Sequence, residues 1–412
     1  LQLQKIKLTL MSQRWRQLLL SFLASSVLLV ACKKEYSPDE TLPVSYSPNV
    51  IISSNNQVVF ALNPTSGQKS WEIGLPCPVL ASPIIYNGSV YIASSNRDTL
   101  YKINSKTGKI TRKVTYSGSG AGAKATPIAD GKIIYVASTN GRLFAIDTSD
   151  YSTKWSFAAD GPLEASPTIH NGNIYFASKV GTVYCLEKTN GTTAPLPASP
   201  TATWSLTIPG ASFVSSPAVA APYLFLGSLS DSNMYCIYLD APGGGTTGLM
   251  RWSYKTKGGI KSSPAAYKGT CIFGANDFRL YCLDTTIDPL FGITVPEVRW
   301  IDSLNSEVVS SPFPYDQTVY VGCKDYRVYA LRMINGSAKW TFSSNGVITS
   351  SPLAYNGTVY VGSFDKYLYA LDTARGTLKW KANINGQIEC SPVIDDLTKL
   401  TGHNSQISGY TN

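Results

Sequence analysis

Several residues in this sequence have types and spacings that suggest chemistry. The run Gly118-Ser119-Gly120-Ala121-Gly122-Ala123-Lys124 has the small residues and terminal lysine of a loop that wraps a phosphate. Such a loop aims backbone N–H groups and a helix N-terminus at the anion, so it needs a strand before it and a helix after it. Here Thr126-Pro127 follows and opens another strand, so the run reads as a flexible connection. Eight cysteines are present but no Cys-x-x-Cys, which removes the usual spacing of a zinc or dithiol site. His170 and His403 are too few and too far apart for a His-based zinc centre.

Cys32 has a different context. From Met11 the chain runs through Arg14 and Arg16 into the apolar stretch Leu18–Ala31, with a small residue before the cysteine. That is the layout of a secretory signal, shorter than the roughly 20 residues of a comfortable membrane span. Residues 1–31 therefore read as a signal peptide, with Leu1–Leu10 ahead of a start at Met11. Leu29-Val30-Ala31-Cys32 resembles the lipobox of bacterial lipoproteins, which implies a diacylated Cys32 as the first mature residue; an ordinary signal with an incidental cysteine is the alternative. Two or three acyl chains hold a protein firmly where one does not. Residues 32–48 are polar, hold three prolines and read as a tether. Lys33 stands where the inner-membrane retention signal of enterobacterial lipoproteins has Asp, which implies the outer membrane. Lys33-Lys34-Glu35 leaves open whether the chain faces the periplasm or the cell surface.

The elements that position the rest follow from composition. Of 412 residues 43% are apolar and only 15% charged, against about 25% in ordinary domains. Gly 33, Pro 24 and Tyr 25 point to many short strands and tight turns, and argue against a helical bundle, a coiled coil or a disordered chain. Removing residues 1–31 takes away four cations and no acid, lowering the net charge from +9 to +5. No Lys/Arg run remains, so nucleic acid is not an expected partner.

Self-similarity decides the fold. Ser-Pro or Thr-Pro recurs at Pro83, Pro127, Pro167, Pro217, Pro264, Pro312, Pro352 and Pro392, at intervals of 40 to 50 residues. Each copy holds about four short alternating segments, with turns such as Asn87-Gly88, Asn171-Gly172 and Asn356-Gly357 that suit two-residue hairpins. A four-stranded repeat of that length is a propeller blade. Seven copies are complete. The eighth is split between Cys390-Ser391-Pro392 and the stretch Asn49 to Trp71. The expected fold is all-β, an eight-bladed β-propeller over 49–394, one blade closed by N- and C-terminal strands, with a tail at 395–412. The residue two before each Pro is small (Ala81, Ala125, Ala165, Ser215, Ser262, Ser310, Ser350, Cys390), as the crowded axis requires. Trp71, Trp155, Trp204, Trp252, Trp300, Trp340 and Trp380 lie where blades diverge and serve as structural docking residues; Arg112 replaces the Trp in the first full blade.

The run Ala370-x-Asp372-x-x-x-Gly376-x-x-x-Trp380 resembles the tryptophan-docking motif of the pyrroloquinoline quinone (PQQ) propeller family. Ala61/Gly67/Trp71 and Ala330/Gly336/Trp340 repeat it with Asn63 and Arg332 for the Asp. Ala145/Asp147/Trp155 repeats it with Tyr151 for the Gly. That family includes quinoprotein dehydrogenases and cofactor-free relatives, among them lipoproteins of the outer-membrane β-barrel assembly machinery. The dehydrogenases carry an adjacent disulfide-linked cysteine pair beside the quinone, and no Cys-Cys occurs here. No catalytic, cofactor or metal residue is expected. Lys124, Glu164, Lys261 and Glu389, each three residues before a blade's Pro, read as local pairing near one channel mouth.

Cys185, Cys236 and Cys282 take the slot of Ala61, Ala145, Ala330 and Ala370 and read as small buried residues. Cys77 and Cys390 flank the closure blade and are left open as a possible bridge. The interval to the Trp is 10 residues from Ala370 but 19 from Cys185, 16 from Cys236 and 18 from Cys282. These longer loops hold Pro195, Leu196, Pro197, Leu249, Met250, Pro289, Leu290 and Phe291, enough apolar surface for a contact ledge. On the opposite face the turns carry Arg97, Arg142, Lys179, Arg279, Arg327 and Lys366. The resulting expectation is a non-catalytic, monomeric, lipid-anchored scaffold that binds an envelope protein partner, such as the β-barrel assembly machinery. The alternatives are a glycan- or small-ligand-binding lipoprotein, using aromatics such as Tyr326 and Phe364, and thirdly a PQQ-dependent dehydrogenase.

Overall fold

A computed structural model describes residues 47–188, 200–239, 248–286 and 295–396. The signal segment 1–31, Cys32, nearly all of the 32–48 tether and of the 395–412 tail lie outside the described residues, as do Pro195, Leu196, Pro197, Pro289, Leu290 and Phe291. The described strands belong to one unit that begins at Pro48.

Among the described residues thirty-two strands form eight four-stranded antiparallel sheets, each in simple meander order, arranged as an eight-bladed β-propeller. Blades one to seven begin at Pro83, Pro127, Pro167, Pro217, Pro264, Pro312 and Pro352. In the closure blade Val393–Asp395 is the innermost strand, followed outward by Asn49–Ser53, Val58–Leu62 and Lys69–Gly74. Its register sets Asn49 opposite Asp395 and Ile51 opposite Val393. The same innermost strand lies beside Ile84–Tyr86 of blade one, which completes the ring.

Blade seven shows why the sequence folds this way. Its strands are Leu353–Tyr355, Thr358–Gly362, Tyr367–Asp372 and Leu378–Asn383. The second strand is buried throughout, so Thr-Val-Tyr-Val-Gly reads as a nearly continuous apolar run. The outer strand alternates, with one side open to solvent. Asn356 and Gly357 join the first two strands with φ of 44° and 72°, the paired left-handed conformation of a type I′ turn.

A hydrogen-bonded ring lines the axis. In seven of the eight blades the residue before the Pro donates its backbone N–H to the hydroxyl of its counterpart in the next blade: Thr126 to Ser166 (2.9 Å), Ser166 to Ser216 (3.0 Å), Ser216 to Ser263 (2.9 Å) and Ser263 to Ser311 (3.0 Å). Ser311 to Ser351 (2.9 Å), Ser351 to Ser391 (3.3 Å) and Ser391 to Ser82 (2.9 Å) carry it across the closure. Proline favours an extended residue before it, which suits a strand-like Ser whose N–H points sideways. The motif is thus Ser-Pro because the serine is a link.

The small residue two before each Pro is matched to the end of its neighbouring second strand. Ala81, Ala125 and Ala165 go with Ala93, Ala137 and Ala177. Where that residue is Ser, the strand ends in Gly, and Gly227, Gly274, Gly322 and Gly362 donate N–H to Ser215, Ser262, Ser310 and Ser350 at 3.1–3.3 Å. A Cβ on Gly322 would come within 2.3 Å of Ile348 in the following connection. In the closure blade Cys390 and Ser53 form the pair, with Ser53 Oγ donating to Cys390 Sγ at 3.0 Å.

The tryptophans join blades at their outer part. Trp71, Trp155, Trp204, Trp252, Trp300, Trp340 and Trp380 each lie across from the small Ala or Cys of the third strand. Trp71 Nε1 donates to Ser105 O (2.7 Å), Trp300 to Met333 O (2.8 Å), Trp340 to Thr373 O (3.0 Å) and Trp380 to Pro64 O (2.9 Å), all in the next blade. The indole ring covers that turn's glycine, where a Cβ would sit 2.5–2.7 Å from ring carbons at Gly67, Gly108, Gly336 and Gly376; Trp204 does the same over Gly248.

Candidate functional site

The meander puts two kinds of segment at each end of the ring. Connections between blades share one end with the turns between second and third strands; this is the connection face. Turns between first and second strands share the other with turns between third and fourth; this is the hairpin face. Lys257 N–H donates to Asp277 at 3.0 Å and Asn345 N–H to Asp365 at 2.9 Å, tying each connection to the turn of the blade it enters.

On the connection face the acids serve the fold. Asp277, Asp325 and Asp365 accept the hydroxyls of Tyr281, Tyr329 and Tyr369 at 2.5–2.6 Å, and Asp231 accepts that of Tyr235. Burial, with the Asp325 carboxylate next to it, pushes the Tyr329 hydroxyl up to about 12. The Gly-rich run is not a loose loop. Gly120 N–H (2.7 Å) and Ser119 Oγ (2.8 Å) donate to Asp98 Oδ2, and Gly122 N–H donates to Oδ1 (3.1 Å). The amides expected to suit a phosphate enclose the protein's own carboxylate. Burial opposes that charge, but the hydrogen bonds from Ser119, Gly122 and Gly120 outweigh it and hold Asp98 below its usual range.

Of the four charged residues before the prolines, Lys124 and Glu164 meet at 3.1 Å, and Lys179 joins Glu164 at 3.3 Å. Burial works against the Glu164 charge, and the two lysines overcome it and lower the carboxyl. Lys261 and Glu389 stand exposed. Cys77, Cys185, Cys236, Cys271, Cys282, Cys323 and Cys390 are buried free thiols, so Cys77 and Cys390 are not bridged. Cys77 lies 3.3 Å from the Tyr101 hydroxyl instead, and burial raises Cys390 to about 11. Among the described residues no group of three His, Cys, Asp or Glu side chains is placed to hold a metal ion.

The feature that stands out is a pair of aromatic side chains. The last residue of the turn between second and third strands has positive φ in most blades: Gln57 (72°), Gly141 (82°), Gly181 (100°), Ser232 (57°), Phe278 (69°), Tyr326 (70°) and Lys366 (75°). Two blades meet this requirement with glycine, which adopts it without strain. Adjacent blades five and six place Phe278 and Tyr326 there, 47% and 50% exposed. A bulky residue in this conformation is held at an energetic cost, which a half-exposed ring offsets only in part. Tyr326 was among the aromatics noted in the sequence; Phe278 was not, although its alignment with Tyr326 was visible there. Phe364 is half-buried in the corresponding turn of blade seven. Lys257, Lys261 and Lys366 lie on this face with no ion pair among the described residues.

A family model described as outer membrane protein assembly factor BamB matches residues 12–122, 112–228 and 294–410. The chain belongs to the BamB family. Its fold is shared with BamB from Moraxella catarrhalis, at a TM-score of 0.60 and 16% identity over 76% of this chain and 88% of that one. The quinohemoprotein alcohol dehydrogenase ADHIIG from Pseudomonas putida HK5 gives a TM-score of 0.57 at 13% identity, over 82% and 70% of the two chains. The serine/threonine-protein kinase AfsK of Streptomyces griseus is 29% identical over 143 residues, which is 31% of this chain and 17% of the kinase. Membership of the BamB family thus goes with a propeller scaffold that proteins of quite different activity also use.

Proposed function

We propose that this chain is a non-catalytic propeller, anchored through an acylated Cys32 at the outer membrane, that presents its connection face to a protein partner in outer-membrane protein assembly. The observation that carries the reading is the pair Phe278 and Tyr326. Each is an exposed ring in a conformation that glycine would take without strain, and burial against a partner supplies the return that the isolated fold lacks. Membership of the BamB family supports the assembly role. The test is crosslinking in intact cells, purification through a C-terminal tag and mass spectrometry. Recovery of a β-barrel insertase with the wild type, and its loss with Phe278→Ala plus Tyr326→Ala, supports the reading. Equal recovery from both proteins removes the aromatic pair from the interface.

A second reading has its own observation. A half-exposed Tyr326 ring on a rigid turn is also a platform on which a sugar ring can stack. Binding on a glycan array that Tyr326→Ala abolishes, with crosslinking unchanged, would favour it.

A further inference from the structure

Six large apolar side chains stand exposed on the hairpin face, in four consecutive blades: Leu249 and Met250 in blade four, Val295 and Val298 in blade five, Ile334 in blade six and Leu378 in blade seven. Ile334 is 84% exposed at the tip of the turn whose glycine seats Trp300. Other blades place Thr65 or Lys106 at that position. Met250, Val298 and Leu378 share one register position, two residues before the Trp, where the closure blade has Lys69. They stand at the same level along the ring, and blade six, with Ala338 at that level, continues the arc through Ile334. Isolated exposed apolar residues are ordinary, but an arc that runs across blades marks a contact surface.

The chain itself indicates what covers the arc. Val50 pairs with Leu62 at the entrance to the turn between third and fourth strands, and Asn49 pairs with Asp395. The polypeptide thus enters the propeller on the hairpin face, in the closure blade next to blade seven and Leu378. Between Cys32 and that point lie 16 residues, a reach of at most about 55 Å when fully extended. The exposed cations Lys268, Arg332 and Arg375 lie on the same face and suit anionic head groups. We propose that the hairpin face of blades four to seven rests on the lipid surface to which the chain is tethered. The inference rests on acylation of Cys32. It leaves the connection face, with Phe278 and Tyr326, directed away from the bilayer.

The test uses the full chain, produced in lipidated form and reconstituted into vesicles of phosphatidylethanolamine and phosphatidylglycerol. Since the seven described cysteines are buried, Ile334→Cys and Phe278→Cys each accept an environment-sensitive fluorophore at one chosen site. The inference expects the probe at 334 to shift to the blue and to be quenched by doxyl-labelled lipid, while the probe at 278 stays water-like and unquenched. A probe at 334 that remains unquenched in vesicle-bound protein overturns it. So does a blue shift at 334 that depends on protein concentration without lipid quenching, which would mean that a second copy covers the arc. Ile334→Asp with Leu378→Asp, two exposed positions that leave the core intact, should reduce quenching of a probe at Met250→Cys. Detergent-phase partition of the wild type separates the two levels. A chain that partitions but is not quenched at 334 retains its anchor and loses the inference. A chain that stays in the aqueous phase loses both.

Discussion

The guanidinium of Arg112 lies 4.9 Å from the centre of the Tyr151 ring, in the next blade, at the contact where elsewhere Trp71, Trp204, Trp300, Trp340 and Trp380 each sit on a glycine. Tyr151 takes the left-handed backbone of that glycine, with φ of 64°. Lys102, across from Arg112 in the slot otherwise filled by Ala or Cys, donates to the Tyr151 hydroxyl at 2.8 Å. Three departures from the repeat are one exchanged contact: an indole over a bare backbone has been replaced by two cations around a phenol.

Arg112→Trp alone should destabilise by about 1–3 kcal/mol, because the indole meets the Tyr151 side chain where other blades offer a bare backbone. Tyr151→Gly alone should also destabilise, through the lost cation–π contact. The double variant should recover much of the loss, with a favourable coupling of about 0.5–3 kcal/mol in a double-mutant cycle of denaturant midpoints. Additive losses would show that Arg112 and Tyr151 do not act together.

Gly322→Ala forces its Cβ within 2.3 Å of Ile348 and should cost about 1–3 kcal/mol by overpacking. Combining it with Ser310→Ala and Ile348→Leu rebuilds the Ala125, Ala137 and Leu163 set of blade two, and should restore most of the thermal midpoint.

Ser82→Ala removes the hydroxyl that accepts the Ser391 N–H, and leaves a buried donor at the closure. The expected cost is about 1–3 kcal/mol. Amide exchange should rise first in Val393–Asp395 and the adjoining Asn49–Ser53 strand. A uniform rise in all blades would contradict a local opening.

Asp98 gives a pH dependence of known sign. Its folded pKa lies below the ordinary 3.8, so its stabilisation is fully present above that value and is lost as pH falls through the folded one. Asp98→Asn should lower stability at pH 7 by about 1.5–3 kcal/mol, since charge-assisted hydrogen bonds are replaced by an amide facing other donors. The gap between the two proteins should narrow in urea titrations carried out below pH 3.8.

Blade number, closure and tryptophan slots were legible in the sequence because each follows from a repeat of residue size. A Trp in seven of the eight blades and a small residue two before each Pro are visible without coordinates. What was not legible depends on pairs of residues far apart in the chain. The serine before seven of the eight prolines looked like part of a landmark, yet its hydroxyl accepts from the blade before. The Ala/Ala, Ser/Gly and Cys/Ser pairs lie 12 residues apart in seven blades, yet only the geometry shows that one side chain fills the space the other gives up. The run Gly118–Lys124 read as a flexible connection because the carboxylate that holds its amides, Asp98, lies 20 residues earlier. Phe278 was missed because an aromatic in a strand-rich chain ordinarily belongs to the core, and its exposure follows from the turn's backbone.

Ser53 and Cys390 are hydrogen-bonded across 337 residues of chain. In the proposed export, N-terminus first, Asn49–Gly74 would arrive at the start of transit and Val393–Asp395 near its end. Throughout that passage the second to fourth strands of the closure blade are a sheet whose inner edge has no partner, so pairing with another molecule competes with completion of the fold. The interval of exposure is set by the rate of delivery rather than by the speed of strand pairing. With the chain exported as proposed, slowing export should therefore raise aggregation even for sequence variants whose finished ring is as stable as the wild type.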